Sequence, residues 1–195
     1  LLNTLPLAIF KAFEKYQTMA EALPISQFLK EAAKLRYNPL KLAEQFQADL
    51  PTTLERLAHM PDEDHLPKFG ILECDGSGSV LYRKQLPTLS LPKYSSACPL
   101  WPLYRSMSQP MQPICALFDM PTGERFLSYS IATFAEHGSF NMPGRLKATM
   151  LFTQDYQKIL GKNTIASLPH LSVGLQCSVC PRNKCEARRS TYILG

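Results

Sequence analysis

Three cysteines stand close together near the C-terminal end of the chain, Cys177, Cys180 and Cys185, in the order C-x-x-C-P-R-x-x-C. Thiols this near in sequence can converge on one metal centre, because a C-x-x-C loop brings two sulfurs together and the next half turn supplies a third. Such a centre constrains the fold more than any hydrophobic stripe. Its fourth ligand has to come from elsewhere, so the tail must return to wherever that ligand lies. The best candidate is Cys98, followed by Pro99 and Trp101. Cys74 and Cys115 sit inside apolar runs that read as strands and are expected to bury a thiol as a small hydrophobe.

Composition bounds the alternatives. With 195 residues, of which 45% are hydrophobic, the chain can bury one good core, or one core and a helical appendage. No run approaches the roughly 20 apolar residues of a membrane span. The opening Leu1-Leu2-Asn3-Thr4-Leu5-Pro6 lacks the basic start and cleavage site of a signal peptide. Six unevenly spread cysteines suit metal ligation in a reducing compartment better than three disulfides, so the cytoplasm is expected. The net charge of +5 is too diffuse to mark a nucleic-acid face. The chain starts without Met in mid-pattern, and we expect a fragment of a longer protein.

The first 60 or so residues read as helices. Ile9, Phe10, Phe13, Tyr16, Met19, Ala20 and Leu23 recur at three-to-four spacing, which marks an amphipathic helix ended by Pro24, with that stripe in the core. Ser26 is expected to cap a second helix through Phe28, Leu29, Ala32 and Leu35. Asn38 and Pro39 start a third through Leu42, Ala43 and Phe46, and Pro51 opens a fourth through Leu54 and Leu57. The last two have the rhythm of a helix-turn-helix, with Thr52, Thr53 and Arg56 where a recognition helix meets DNA. Against this, Gln47 stands where a turn glycine is usual, and short helix pairs are common packing units.

From Pro67 the pattern changes to strands. Residues 69–74 and 79–84 flank Asp75-Gly76-Ser77-Gly78, a hairpin turn. A proline-punctuated connection through Pro87 and Pro92 leads to a short helix over 99–107. Strands are expected at 114–119, 125–134 and 145–153, with Pro121-Thr122-Gly123 and a loop from His137 to Pro143 between them, and a closing helix at 154–160. Two strands, a helical connection and a three-stranded meander form the order of GAF-like and PAS-like sensor domains. The expected fold class is therefore α+β: a helical segment, a five-stranded antiparallel GAF/PAS-like sheet with helices, and a metal-stapled tail. The segments are 1–62, 63–170 and 171–195.

Several stretches carry a family likeness. The run from Leu23 to Leu57, Ala97-Cys98-Pro99-Leu100-Trp101, Met120-Pro121-Thr122-Gly123-Glu124-Arg125-Phe126, and Cys177 through Arg188 resemble the C-terminal half of short-chain fatty acid transcriptional regulators. In that family an XRE-type helix-turn-helix precedes a domain like the ImmA/IrrE peptidases and then a cysteine-bearing sensor region. The resemblance makes residues 1–62 the end of the ImmA/IrrE-like region. It implies control of propionate, acetate or related carbon metabolism through a bound short-chain acyl-CoA. Mycobacterial members are associated with a four-iron four-sulfur (4Fe-4S) cluster. H-E-x-x-H, the zinc-binding helical signature of the peptidases, does not occur: His59, His65, His137 and His170 are scattered, and no catalysis is expected. DNA binding would belong to an N-terminal domain outside this sequence, and self-association is an open expectation.

The metal expectation also stands on charge. Four thiolates around a 2+ iron-sulfur core leave about 2−, which hydrogen bonds, helix N-termini or cations must offset. Arg182, Lys184, Arg188 and Arg189 crowd the cysteine segment, Cys98 is expected at the head of a helix, and amides near Ser178 and Val179 can donate to sulfur. Zinc on four cysteinates carries the same charge, so zinc, and free thiols, stay open alternatives, the former as the staple of a DNA-binding or protein-interaction module. Trp101 is expected to pack over the centre as a dry shield. An acyl-CoA needs cations for its phosphates and an aromatic surface for adenine. Arg83, Arg105, Arg125 and Tyr129 are the candidate ligand-binding residues, with Arg145, Lys147, Tyr82 and Tyr104 behind them; each is also an ordinary surface cation or strand aromatic.

Overall fold

The computed structural model describes residues 4–89, 97–136 and 138–193, so Pro92 and His137 of the expected connections lie outside the described residues. The chain divides into two compact units, Leu1–Pro61 and Asp62–Gly195. Among the described residues no helix is long and apolar enough to cross a membrane.

Among the described residues the first unit holds four helices: α1 (Thr4–Ala22), α2 (Ile25–Lys34), α3 (Pro39–Phe46) and α4 (Leu50–Ala58). Two starts are chemically explicit. The Asn38 side chain accepts from the Lys41 N–H with Pro39 at the first helical turn, and Asp49 accepts from Thr52 N–H at 2.8 Å ahead of Pro51. Ser26 does not cap α2; it lies inside the helix, and Pro24, with no side-chain oxygen to offer, stands at the cap. Met19, Leu23, Phe28, Ala32, Leu42, Leu54 and Leu57 are buried, and the Phe28 and Phe46 rings lie 5.5 Å apart.

Two expectations fail in this unit. The first half of the α1 stripe is not core: Ile9, Phe10, Phe13 and Tyr16 are exposed, and only Met19 and Leu23 are buried. The helical period was legible, whereas which turns find a partner depends on tertiary packing. The recognition-helix reading also fails. Thr53 and Arg56 are buried, Thr53 Oγ1 donates to the Asp49 carbonyl, and Thr52 Oγ1 donates to Asp49 Oδ2. Gln47 closes α3 in the left-handed region at φ 51°, the conformation for which a glycine would be usual.

The second unit is built on one sheet: β1 (Gly70–Asp75), β2 (Val80–Lys84), β3 (Ile114–Asp119), β4 (Arg125–Glu136), β5 (Arg145–Thr153) and β6 (His170–Ser172), in the order β2-β1-β5-β4-β3-β6. The first five strands pair antiparallel, as the tight turns within the β1–β2 and β3–β4 pairs require of those two. Asp75 Oδ1 gathers the Ser77 and Ser79 N–H groups to close the first hairpin, and Gly123 at φ 101° turns the β3–β4 hairpin. The sheet has six strands rather than five and is mixed, because β6 pairs parallel with β3. Three residues carry too short a period to announce a strand.

Helix α5 (Pro102–Ser106), shorter than expected, packs on the sheet face formed by Leu72, Cys74, Phe118, Phe126, Ala132, Ala148, Met150 and Phe152. Trp101, Phe118 and Phe126 stack in sequence at 6.3 and 5.1 Å, and Phe152 meets Phe126 edge-on. Two short helices, α6 (Tyr156–Ile159) and α7 (Lys162–Ser167), lead into β6, and a single 3-10 turn at Cys177–Val179 opens the cysteine segment.

Candidate metal centre

The segment after β6 is laid directly against the body of the second unit. Val173 is fully buried among the core residues and its N–H donates to the Asp119 carbonyl at 3.1 Å. One residue on, the Gly174 carbonyl accepts from Trp101 Nε1 at 2.6 Å, and the Leu175 carbonyl accepts from the Cys98 N–H at 2.8 Å. These bonds fasten the tail beside Cys98, so sulfurs far apart in sequence share one place. Cys98, Cys177, Cys180 and Cys185 line a single cavity, together with Leu100, Gly174, Gln176, Arg182, Ala187 and Arg188. The cavity encloses about 310 Å³, its solvent-open mouth included. Among the described residues no three His, Cys, Asp or Glu side chains close tightly enough to grip one metal ion.

Donors to sulfur are present, although from different amides than expected. Cys98 Sγ accepts from the backbone N–H groups of Gly174 and Leu100, and Cys177 Sγ accepts from the Arg189 N–H at 3.3 Å. The Val179 N–H instead turns to the Gln176 carbonyl. Cys98 is not at a helix head either: Trp101 occupies the N-cap of α5, and Cys98 precedes it by one turn, accepting the Trp101 N–H on its carbonyl. Burial is the main force pushing the Cys98 thiol up from its ordinary range; Cys177 and Cys180 push the same way, and the two N–H donors oppose them. A cation among the sulfurs reverses that balance by favouring the thiolate. The donor set, the clustered sulfurs and the N–H groups aimed at them fit a thiolate-bound metal group.

The space is tight against Gly174. A methyl group there would stand 2.9 Å from Cys180 Sγ and 4.0 Å from Cys98 Sγ, so the backbone itself forms a wall of the cavity. Trp101, wholly buried, stands behind that wall, stacked on Phe118 and bonded to the Gly174 carbonyl. The basic residues divide into two kinds. Arg182 and Arg188 spend their guanidinium groups on backbone carbonyls, whereas Lys184 and Arg189 are exposed.

The remaining cysteines lie apart from this cavity. Cys74 is buried in the core, its thiol pushed up to about 12, mainly by burial. Cys115 is half-buried and pushed up to about 11 by the same cause. Both are inert at neutral pH.

The four candidate ligand-binding residues do not converge. Arg83 lies opposite Leu72, on the face that carries α5, while Arg105 is exposed on α5 itself. Arg125 and Tyr129 share the other face by strand alternation. Arg125 is held by Asp119 through a paired contact at 2.6 and 3.1 Å, and Tyr129 is half-buried opposite Cys115. Arg145 faces Glu136 at 3.5 Å and Lys147 is bonded to Glu73 at 2.9 Å. A cation in a sequence names no face, and the sheet register separated these. The residues that sequence reasoning missed are Gly174 and Leu100; a lone glycine upstream of Cys177 was the available signal.

The chain is similar to the propionyl-CoA carboxylase regulator of Cereibacter sphaeroides, 26% identical over 178 residues that make up 89% of this chain and 38% of the relative. It is similar to the HTH-type transcriptional regulators PrpR and RamB of Mycobacterium tuberculosis, each 23% identical, covering 92% and 89% of this chain respectively and 38% of each relative. It thus spans well under half the length of these curated relatives. A solved Mycobacterium tuberculosis transcriptional regulator shares the fold at a TM-score of 0.75 and 22% identity, over 92% of this chain and 57% of that one. PrpR and RamB are named as regulators of transcription, and the Cereibacter relative as a regulator of propionyl-CoA carboxylase. Residues 57–194 match the model of the C-terminal region of short-chain fatty acyl coenzyme A regulators, and the chain belongs to that family.

Proposed function

We propose that this chain is the sensing region of a transcriptional regulator of short-chain fatty acid metabolism, and that Cys98, Cys177, Cys180 and Cys185 hold a 4Fe-4S cluster in it. The observation that carries the cluster is the shared cavity: four of the six cysteines line it, with backbone N–H donors on two of them. Zinc is the weaker reading. Three clustered cysteines with one remote Cys-Pro favour iron-sulfur ligation over the paired C-x-x-C loops common in zinc sites. When bound, such a group supplies a four-point cross-link and a centre open to one-electron change. The chain's own contribution is to fasten the tail at Leu171–Leu175, present the sulfurs, donate to them, and shut solvent out from behind with Trp101.

The effector in this reading is a short-chain acyl-CoA, as the family description suggests. The order β2-β1-β5-β4-β3, with a helical connection between β2 and β3, supports a GAF-like or PAS-like sensor. Regulation is then a population shift, in which effector or cluster favours one arrangement of the tail and thereby of DNA-contacting parts elsewhere in the regulator.

The test is anaerobic purification followed by iron, acid-labile sulfide and zinc analysis, with Cys98→Ala alongside. Iron and sulfide in the wild type and their loss in Cys98→Ala are expected. Iron content unaffected by Cys98→Ala, or a protein that takes up neither metal, overturns the centre. For the effector, acetyl-, propionyl- and longer acyl-CoA should raise the thermal midpoint, with the shift growing as the logarithm of their affinity; no shift with any thioester overturns that part.

A further inference from the structure

Arg188 lies partly buried in the wall of the cysteine cavity, and its guanidinium is wrapped by the segment that carries the cysteines. Nη1 donates to the Cys177 carbonyl at 2.8 Å and the Ser190 carbonyl at 3.3 Å. Nη2 donates to the Cys180 carbonyl at 2.9 Å and the Arg182 carbonyl at 2.7 Å. The acceptors include the backbones of two of the three tail cysteines. A planar, permanently charged fork can satisfy four carbonyls at once, which a lysine ammonium on a flexible stem does not reproduce.

We propose that Arg188 is the positioning residue of the centre: it folds the triple-cysteine loop around its own cation, and so governs how firmly a thiolate-bound metal is kept and how readily an iron-sulfur core there is reduced. The inference rests on reading the four cysteines as ligands. Two consequences of the geometry carry it. A carbonyl turned toward the guanidinium is not turned toward the thiolates, where its negative end would add to the charge of an anionic centre. In addition, the peptide joining Arg188 to Arg189 supplies the N–H that donates to Cys177 Sγ at 3.3 Å, so anchoring the Arg188 side chain also fixes a donor on sulfur. Arg182 acts outside the loop. Its guanidinium bonds the Val173 carbonyl at 2.7 Å and the Asp119 carbonyl at 3.1 Å, which ties the loop that Arg188 has shaped to the end of β3.

The experiment uses the full chain, anaerobically loaded with iron and sulfide, as wild type, Arg188→Gln, Arg188→Lys and Arg189→Gln. Arg189 is exposed in the same segment, so its variant removes one charge and leaves the backbone N–H in place. The readouts are the half-life of the visible cluster band under an iron chelator, the potential in a mediated dithionite titration, and circular dichroism for folding. Arg188→Gln should lose metal roughly 10–100-fold faster, the usual consequence of removing a supporting hydrogen-bond partner. Its potential should also move negative by more than that of Arg189→Gln. Arg188→Lys should recover only the part of the potential shift that comes from charge, and not the part that comes from the turned carbonyls or the retention, both of which follow the fork. Arg188→Gln and Arg188→Lys with wild-type half-lives and potentials overturn the inference while leaving the cluster intact. A wild type that takes up no metal overturns the ligand reading and this inference together.

Discussion

Replacing Gly174 with alanine tests the cavity at its tightest wall. The added methyl would sit 2.9 Å from Cys180 Sγ and 3.4 Å from Cys180 Cβ. Heavy atoms in contact prefer about 3.5–4.0 Å, so the Cys180 side chain has to yield by about 0.6–1 Å. A free thiol can yield by rotating about its first side-chain bond. A thiolate fixed to a metal cannot rotate and remain a ligand. The cost therefore differs between the two states: about 1 kcal/mol, the lower end of overpacking, in the metal-free protein, and weakened metal binding in the loaded one.

Each tenfold loss of affinity removes about 1.4 kcal/mol of linked stability. At about 2.1 cal/mol/K per residue, a unit the size of Asp62–Gly195 loses roughly 3–4 °C of midpoint per kcal/mol. The gap between loaded and metal-free midpoints should shrink by about 5 °C for every tenfold. Differential scanning of both states with and without chelator measures this. Gly161→Ala is the control: a methyl there meets nothing within 4 Å, so any cost of Ala at the α7 N-cap should fall equally on both states and leave the gap unchanged. A Gly174→Ala protein with the wild-type gap would refute the placement of Cys180 at the centre.

Three further outcomes follow from single contacts. Trp101→Phe keeps the stack on Phe118 but leaves the buried Gly174 carbonyl without its donor, and a loss of about 1–3 kcal/mol in denaturant unfolding is expected; an unchanged midpoint counts against the bond. The Cys115 thiol, pushed up to about 11 by burial, is almost wholly protonated at neutral pH, so iodoacetamide should label it on the order of 100-fold more slowly than an open thiol, with the rate rising as pH approaches that value; labelling at the free rate would contradict its burial. The Asp119 carboxyl is held below the ordinary carboxylate range, chiefly by its hydrogen bond from Arg125, so the pair stabilises the fold above pH about 4 and that contribution disappears as pH falls through the lower folded value. Both side chains are partly exposed, and Asp119→Asn should cost no more than about 1 kcal/mol at neutral pH and flatten the acid limb; a wild-type acid limb in the variant would remove the pair as its cause.

Legibility in the sequence followed the range of the forces involved. Asn38 with Pro39, and Pro51, announced helix starts, because caps and first turns are decided within four residues, while the Asp49 cap ahead of Pro51 went unread. The glycines at 78 and 123 and the apolar runs beside them announced the hairpins. The thiols of the cavity were legible as a set because chemistry restricts what so many adjacent cysteines do. What failed depends on distant partners. The exposed half of α1 has the same period as its buried half, β6 is recruited only by the edge that β3 offers, and Arg83 and Arg125 take opposite faces through strand register. Gly174 escaped notice since its role lies in a side chain it lacks, against sulfurs that only the folded chain brings near.

The tail contains a division that follows from its bonds. Through Leu175 it is held by the body directly: β6 is paired with β3, Val173 is in the core, and Gly174 and Leu175 accept from Trp101 and Cys98. Beyond Leu175 it folds largely on itself, with the Ser178 carbonyl accepting from Ile193 N–H and Arg188 gathering its neighbours' carbonyls, while Arg182 reaches back to Asp119. A cross-link through Cys98 adds most exactly where this direct fastening ends. If the four cysteines hold a metal group as proposed, it would leave the sheet and the tail through Leu175 to their own bonds and control the freedom of residues 176–193. In the proposed reading the segment that would respond to a metal is thus the one least supported by the core, which is what a switch element requires.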